Sequence, residues 1–267
     1  MVQLGNPSKL YLTVAVVLAA VLTAVCLLLP RSYLLTACSD IITGLLMLCA
    51  LFAFATHGLN SSGRMRWFWM LQAAGWGLWF GDQLVWITYD LVWRRKMPSM
   101  HPADALLFLA GAPMLAGVLL RPHRQPSERG AHLGLPDFFL LVLWWLYLYV
   151  SFVVCWQYIS PNEDGYNRNY DLLAAAESIL LAVVLAIFWM QSSGRWKKFY
   201  AVFCGAVVLN GIAFYVLNHA LEENLYFTGS WYDIPYTGSF AIFTVVAVLG
   251  QDLAPVAETA SSEKYVG

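Results

Sequence analysis

The sequence predicts an all-α protein, a polytopic integral membrane helix bundle with about eight transmembrane helices. The first observation is composition: 60% of the 267 residues are hydrophobic and 12% are charged, against about 25% charged residues in soluble domains. The second is that eight apolar segments approach the length of about twenty residues that spans a bilayer as a helix. These segments are 10–29, 33–56, 67–93, 103–120, 136–159, 170–191, 198–221 and 234–251.

Short polar connections divide the chain into these segments. Pro30 and Arg31 leave only a tight turn, so the first two helices should be antiparallel neighbours. Breaks follow at 61–63 and between Pro98 and Pro102, and longer polar loops lie at 121–135, 161–165 and 222–233. We therefore expect one eight-helix transmembrane domain, residues 1–252, and a short polar tail or linker, residues 253–267. No repeat period is evident.

The distribution of Lys and Arg predicts the orientation. With eight spans, ten Lys and Arg residues lie on the side that holds both termini, and five lie on the other side. The positive-inside rule then places both termini in the cytoplasm, although the cluster at 94–96 lies on the opposite side. The net charge of −1 argues against a nucleic-acid partner.

The third segment carries a carboxylate near its middle. A charge at that depth costs roughly 3 kcal/mol on insertion scales, so Asp82 should face protein or water. At helical spacing one stripe holds Trp76, Trp79, Asp82, Trp86 and Asp90. A neighbouring stripe of small residues, which favours close helix packing, consists of Ala73, Gly77 and Gly81.

Alternation of the eight spans collects the ionisable side chains in one half of the bundle. The expected site is a polar cavity lined by aromatic residues, which opens outward and binds a small, amphipathic or cationic ligand. The alternative explanation is an aromatic interface belt with ordinary helix caps. The candidate ligand-binding residues are Asp40, Trp79, Asp82, Trp86, Asp90, Asp104, Glu177, His219, Asp233 and Tyr236.

Other chemistries find less support. All five lysines lie in loops or termini, so a retinal Schiff base is excluded, and no P-loop, CxxC or HExxH motif is present. A zinc site from His101, Asp104, His219 and Glu222 lacks a two-ligand signature on any one helix, so we expect neither metal nor cofactor. A proton- or ion-coupled transporter would use the buried acids directly. Such transporters often contain internal repeats, however, and none is evident in this sequence. A membrane-embedded lipid-processing enzyme is a further alternative.

Two stretches carry a resemblance to a known class of proteins. GWGLWFGDQLVW followed by PSMHPADALLFLAGAPMLAGVLL, and SWYDIPYTGSF near the end, resemble the membrane-embedded sensor region of bacterial multi-pass signalling proteins. In those proteins the cytoplasmic part is a diguanylate cyclase (GGDEF), an EAL phosphodiesterase or a histidine kinase. The shared positions would be Trp79, Gly81, Asp82, Trp86, Pro98, Ser99, Asp104, Pro113, Asp233 and Pro235.

The resemblance implies a sensory domain of the bacterial inner membrane that itself catalyses no reaction. Ligand binding in the outer half would change the bundle, whose last helix leads toward the cytoplasm. The expected partners are the lipid bilayer, an unidentified small or amphipathic ligand, and a cytoplasmic signalling domain in cis or in trans. A homodimer is a further expected assembly. No output domain follows residue 252 within this sequence.

Overall fold

The computed structural model describes residues 7–95, 97–98, 101, 103–123, 134–156, 163–250 and 253. Within these ranges every regular element is helical. Two of the helices, α3 and α6, continue directly into π-helical turns, Thr88–Trp93 and Val150–Val154. The α-helices are α1 (Pro7–Leu28), α2 (Tyr33–Leu59), α3 (Gly63–Ile87), α4 (Ala103–Leu109), α5 (Gly111–Leu119), α6 (Leu135–Tyr149), α7 (Glu163–Gln191), α8 (Gly194–Glu222) and α9 (Asp233–Gly250).

These elements correspond to the eight apolar segments, with the fourth segment broken into α4 and α5. Pro113 explains the break, because proline has no backbone N–H to donate and its ring clashes with the carbonyl group four residues earlier. Leu109 occupies that earlier position, at the end of α4. The break therefore lies where the sequence removes a helical hydrogen bond.

In the described part of the chain, six helices are long and apolar enough to cross a membrane: α1, α2, α6 with its π-helical turn, α7, α8 and α9. The pair α4–α5 forms a shorter apolar stretch, and α3 carries Gln72, Asp82 and Gln83 among its buried residues. The molecule is thus a helix bundle of the membrane type, whereas eight crossings stay a prediction. Ser99 and residues 254–267 of the expected tail lie outside the described part of the chain.

The structure reveals an internal repeat that the sequence pattern did not suggest to us. The tetrapeptide Ser-Ser-Gly-Arg occurs at 61–64 and again 131 residues later, at 192–195. Both copies form the same turn, since Gly63 and Gly194 have φ values of 55° and 57°. With the same offset, and with the π-helical turn counted as part of the third segment, the bounds of the second, third and fourth segments in the two halves agree to within two residues. The chain therefore consists of two repeats of four segments, α1–α5 and α6–α9.

Equivalent residues of the two repeats make equivalent contacts. His57 packs on Trp69 with ring centroids 5.4 Å apart, and their counterparts Phe188 and Tyr200 pack at 5.7 Å. Phe68 contacts its own counterpart Phe199 at 5.9 Å. A residue can meet its equivalent only near a symmetry axis, so the repeats run in parallel around a pseudo-twofold axis that passes near these rings.

The fourth segment of each repeat packs against the first segment of the other repeat. Helix α9 lies against α1 and α2, and the pair α4–α5 lies against α6, with α5 also against α7. Hydrogen bonds repeat this exchange: Ser39 of α2 donates to Asp233 of α9 at 2.9 Å, and Tyr170 of α7 donates to the Asp104 carbonyl of α4 at 3.5 Å. Ser39 and Tyr170 are equivalent positions. The two halves are consequently interlocked.

The predicted packing seam on α3 is displaced by two residues. A Cβ built on Gly77 would meet only Leu51, at 3.9 Å, and one on Gly81 only Leu106, at 3.6 Å. Both distances are ordinary contacts, so these two glycines allow no unusually close approach within this bundle, although Ala73 is buried. Close approach across a dimer axis stays a prediction. The close approach is at Gly75, where a Cβ would lie 2.7 Å from the Ala110 carbonyl oxygen at the α4–α5 break.

Candidate functional site

One end of the bundle gathers the connections that follow α1, α3 and α8. The Tyr33 hydroxyl donates to the Leu91 carbonyl at 3.2 Å, and the Arg94 guanidinium lies 4.4 Å above the Tyr33 ring. Arg31 lies 4.7 Å above the ring of Phe227. These exposed cation–π contacts hold the two basic residues over aromatic rings. The buried carboxylates lie below this surface, in two groups.

The first group surrounds Asp233, the first residue of α9. Its Oδ2 accepts hydrogen bonds from the Gly229 amide at 2.6 Å and from the Ser39 hydroxyl at 2.9 Å, and its Oδ1 accepts from the Tyr226 hydroxyl at 2.9 Å. Burial raises the pKa of Tyr226 well above its ordinary value, and the neighbouring Asp233 carboxyl raises it further. The phenol therefore keeps its proton and remains a hydrogen-bond donor. Asp233 therefore fastens the 223–232 connection to α2 and α9.

Asp40 and Asp90 complete this first group. The Thr228 hydroxyl donates to Asp90 at 3.0 Å, which joins the π-helical turn after α3 to the same connection. The Gln83 side chain hydrogen-bonds to Asp40, which is only 4% exposed. Within the described residues Asp40 Oδ2 has no hydrogen-bond partner. An unpaired carboxylate oxygen in such a position is costly unless another group reaches it.

The second group contains Asp104, Asp82 and Glu177, and the hydroxyls of Tyr166 and Tyr170 donate to Asp104. Tyr166 donates to Asp104 Oδ2 at 2.6 Å. Since this uses its only proton, Tyr149, 3.0 Å away, must donate to Tyr166. Tyr170 lies within electrostatic range of Asp82, Asp104 and Glu177 together. The chain Tyr149–Tyr166–Asp104 is a continuous line of hydrogen bonds that ends beside the π-helical turn after α6.

Glu177 of α7 reaches into the break between α4 and α5. Trp145 Nε1 donates to its Oε1 at 2.8 Å, and the backbone N–H of Gly111 donates to it as well. A side chain on residue 111 would overlap the carboxyl group of Glu177. Pro113 interrupts the helix, and Gly111 has no side chain to fill the gap. The carboxyl group of Glu177 therefore occupies the break between α4 and α5.

Asp82 lies at the interface between the two repeats. It is 4% exposed, and its Oδ1 has no hydrogen-bond partner among the described residues. Trp79 lies one turn before Asp82 and stacks on Trp76, with ring centroids 5.2 Å apart. The ring centroid of Trp79 also lies 6.5 Å from that of Tyr236 of α9. The Nε1 of Trp76, a fully buried residue, is likewise without a partner in the described structure.

We call this set, Trp76, Trp79, Asp82, Tyr170 and Tyr236, the interface site. The first three residues come from the first repeat, and the two tyrosines come from the second. In the described structure no Lys or Arg side chain is paired with Asp82, Asp40 or Glu177. The interface site can thus accept a positive charge or a hydrogen-bond donor between aromatic walls.

The structure places most of the predicted residues at this end, with one correction. His219 does not join the acids: its side chain is 63% exposed, and its ring nitrogen lies 3.9 Å from Glu222 on the same helix. This also separates the four residues considered for zinc. Asp82 is buried in this structure, only 4% exposed, and the outward-opening cavity stays a prediction. Trp86 is half-buried beside the interface site.

Sequence reasoning missed several residues that organise the site. Ser39, Tyr149 and Trp145 lie in the predicted apolar segments, Tyr166 and Tyr170 suit an aromatic interface belt, and Tyr226 lies in a predicted loop. The repeat could have revealed some of them, since Tyr170 stands at the position of Ser39 and Asp171 at that of Asp40. Both pairs follow from the offset between the two Ser-Ser-Gly-Arg turns.

In comparisons with models of known protein families, with curated proteins and with solved structures, nothing matches this chain. Within the described residues no three His, Cys, Asp or Glu side chains converge as a metal site.

Proposed function

We propose that this chain is a membrane sensory domain that binds a cationic amphipathic small molecule at the interface site and passes the change to a cytoplasmic signalling output. The observation that carries the proposal is Asp82, a carboxylate closed off from solvent with an unpaired oxygen and no basic partner in the described structure. Buried polar groups in native proteins are nearly always satisfied. A ligand that brings a positive charge would satisfy this one.

The surroundings of Asp82 define the chemistry of the ligand. Trp76, Trp79 and Tyr236 offer ring faces, which attract cations and bury apolar groups. Tyr170 adds a hydroxyl on the side of the second repeat. An anion would meet three carboxylates, so electrostatics favours a cation or an amine. Aromatic walls with few polar groups are typical of small-molecule sites.

Asp233 provides the connection from ligand to output. Its three hydrogen bonds join α2, the 223–232 connection and the first turn of α9, the last described helix. Tyr236 lies one turn further along α9 and contacts Trp79. A ligand that displaces Tyr236 would therefore act on the helix that ends at Gly250. With the resemblance described above, this supports a sensory role. The resemblance further suggests the bacterial inner membrane, and the Lys and Arg distribution suggests cytoplasmic termini.

The test uses tetraphenylphosphonium, a hydrophobic cation, with the full chain in lipid nanodiscs. We expect saturable binding by calorimetry, and we expect Asp82→Asn to weaken it about tenfold or more, which corresponds to about 1.4 kcal/mol. Hydrogen exchange should change in 223–232 and at the end of α9 when the cation binds. Glu223→Gln is the matched control, because Glu223 is exposed at the same end of the molecule.

Equal affinity in the wild type and Asp82→Asn would remove the interface site from the proposal. Binding without any change of exchange in α9 would leave a binding protein and refute the sensory role. If the thermal midpoint of Asp82→Asn in nanodiscs falls far below that of Glu223→Gln, Asp82→Glu replaces it. This variant keeps the charge and should keep binding.

Proton- or ion-coupled transport is the second candidate, and the internal repeat favours it. Transporters are commonly built from repeats, with the substrate site near the bilayer midplane between them. Here Trp79 of one repeat lies with its ring centroid 6.5 Å from that of Tyr236 of the other, and Asp82 lies within electrostatic range of Tyr170. Parallel repeats thus answer the objection that the sequence raised against a transporter.

Proteoliposomes distinguish the two candidates. A transporter would accumulate the fluorescent cation ethidium when a pH gradient is imposed, and Asp82→Asn would abolish the uptake. A sensor would show uptake no faster than protein-free liposomes. Uptake that Asp82→Asn leaves unchanged would exclude the interface site as the transport site.

A further inference from the structure

A groove of about 470 Å³ opens at the end of the bundle opposite to the acids. Its lining residues are Gly63, Arg66, Trp67 and Met70, all in the first two turns of α3. Trp67 is 63% exposed, and Met70 packs over Gly58, whose Cβ position would lie 2.6 Å from the Met70 sulfur. The groove is therefore an apolar trough along one face of the start of α3, beside the end of α2, with one cationic residue in its wall.

The charges around the groove are predominantly positive. Arg66 is exposed, and the second repeat places Arg195, Lys197 and Lys198 at the same end, since Phe199 contacts Phe68. The one acid whose side chain is described at this end is Asp137, which accepts a hydrogen bond from the Gly134 amide at the start of α6. An anionic group at the groove would meet attraction and little repulsion.

We propose that the groove binds an anionic phospholipid, with its phosphate on the Arg66 guanidinium and an acyl chain along Trp67 and Met70. Arginine presents a planar fork of donors that matches a phosphate group. Tryptophan is the residue that settles at the level of lipid headgroups. Basic pockets beside membrane helices bind lipid headgroups in the same way. This site is independent of the interface site.

The second repeat supplies an internal comparison. Helix α8 begins with the same Ser-Ser-Gly-Arg turn, but Lys197 stands at the position of Arg66, Lys198 at that of Trp67, and Ala201 at that of Met70. The start of α8 therefore keeps the positive charge and lacks the aromatic ring and the long side chain that form the apolar wall. We expect specific lipid binding at α3 and only general attraction at α8.

Native mass spectrometry of the full chain with phosphatidylglycerol and phosphatidylcholine tests this proposal. We expect one phosphatidylglycerol to remain bound where phosphatidylcholine does not, and we expect Arg66→Gln to weaken it about tenfold, as loss of a charge-assisted hydrogen bond would. Trp67→Ala should weaken it too, because the acyl chain loses its wall. Lys197→Gln is the matched control and should change the affinity by less than about twofold.

Equal retention of the two lipids would overturn the proposal, and so would equal losses in Arg66→Gln and Lys197→Gln. Displacement of the lipid by millimolar glycerol phosphate would also contradict it, because the acyl chain would then contribute nothing. If Arg66→Gln unfolds in detergent, Arg66→Lys replaces it; the point charge that remains should still bind less phosphatidylglycerol than the wild type does.

Discussion

At the residue scale, Asp233 and Asp82 are two buried acids in opposite situations. Asp233 receives hydrogen bonds from Gly229, Ser39 and Tyr226, which account for both of its oxygens. Asp82 is equally buried, but its Oδ1 has no partner in the described structure. A satisfied acid stabilises the fold, whereas an unsatisfied one costs stability. We therefore assign Asp233 to the structure and Asp82 to binding.

Asp233→Ala should be strongly destabilising, because it leaves three donors without an acceptor. We expect a loss on the order of 3 kcal/mol in the free energy of unfolding, and a smaller loss for Asp233→Asn, which keeps acceptor capacity. Denaturant titration in mild detergent, followed by tryptophan fluorescence, measures the loss. Glu223→Ala, an exposed acid of the same connection, serves as the control and should lie within about 0.5 kcal/mol of the wild type. Equal stability of Asp233→Ala and the control would refute this assignment.

At the element scale, two glycines of α3 separate the observed seam from the predicted one. A methyl group on Gly75 would press on the Ala110 carbonyl and on Met114, while a methyl group on Gly77 would meet only Leu51. We expect Gly75→Ala to cost about 1–3 kcal/mol through overpacking. Gly77→Ala should be neutral or stabilising by up to about 1 kcal/mol, since alanine has the higher helix propensity.

Thermal midpoints of the two alanine variants in the same detergent decide between the seams. The matched pair has the same chemistry on the same helix, two residues apart, so a general effect of alanine cancels. A lower midpoint for Gly77→Ala than for Gly75→Ala would restore the predicted stripe.

The break between α4 and α5 offers a second test at the element scale. Gly111→Ala should be destabilising because its methyl group overlaps the carboxyl group of Glu177. Glu177→Ala removes that group, so the double variant should be more stable than the sum of the single effects by about 1 kcal/mol or more. A double-mutant cycle on unfolding free energies measures the coupling; simple additivity would mean that Glu177 does not occupy the break.

At the scale of the whole molecule, the two repeats explain why the acids meet at one end. Parallel repeats place both fourth segments, with Asp104 and Asp233 in their first turns, at the same end of the bundle. The exchange of these segments between the halves then brings side chains of both repeats to the interface site. Neither repeat holds Asp82, Tyr170 and Tyr236 by itself.

The repeats also bear on the predicted orientation. Reporter fusions after Gly130 and after Gly165 should lie on opposite sides of the membrane, the first in the cytoplasm, as the Lys and Arg distribution predicts. Gly130 lies between α5 and α6 in the sequence, outside the described residues, and Gly165 lies in the first turn of α7, at the end that holds the acids. A cytoplasmic reporter at Gly165 would reverse the orientation and leave the fold unchanged.

Much of the fold followed from the sequence because apolar length and turn residues are local signals. The helix bounds, the tight turn after α1 and the gathering of acids at one end needed only segment length and alternation. The break at Leu109–Gly111 has a local cause, Pro113, which segment length alone does not register. The seam at Gly75 was missed because it depends on which helix faces which. The exposure of His219 was missed for the same reason. The repeat was missed because only a few residues besides Ser-Ser-Gly-Arg are identical in the two halves.

The most direct test of the interface site is the density around Asp82 in an experimental map of the protein purified from its native membrane. Our account predicts density for a non-protein molecule within hydrogen-bond distance of Asp82 Oδ1, between Trp79 of the first repeat and Tyr236 of the second. A map in which Asp82 Oδ1 bonds to a protein group, with the side chains packed around it and no further density, would contradict it.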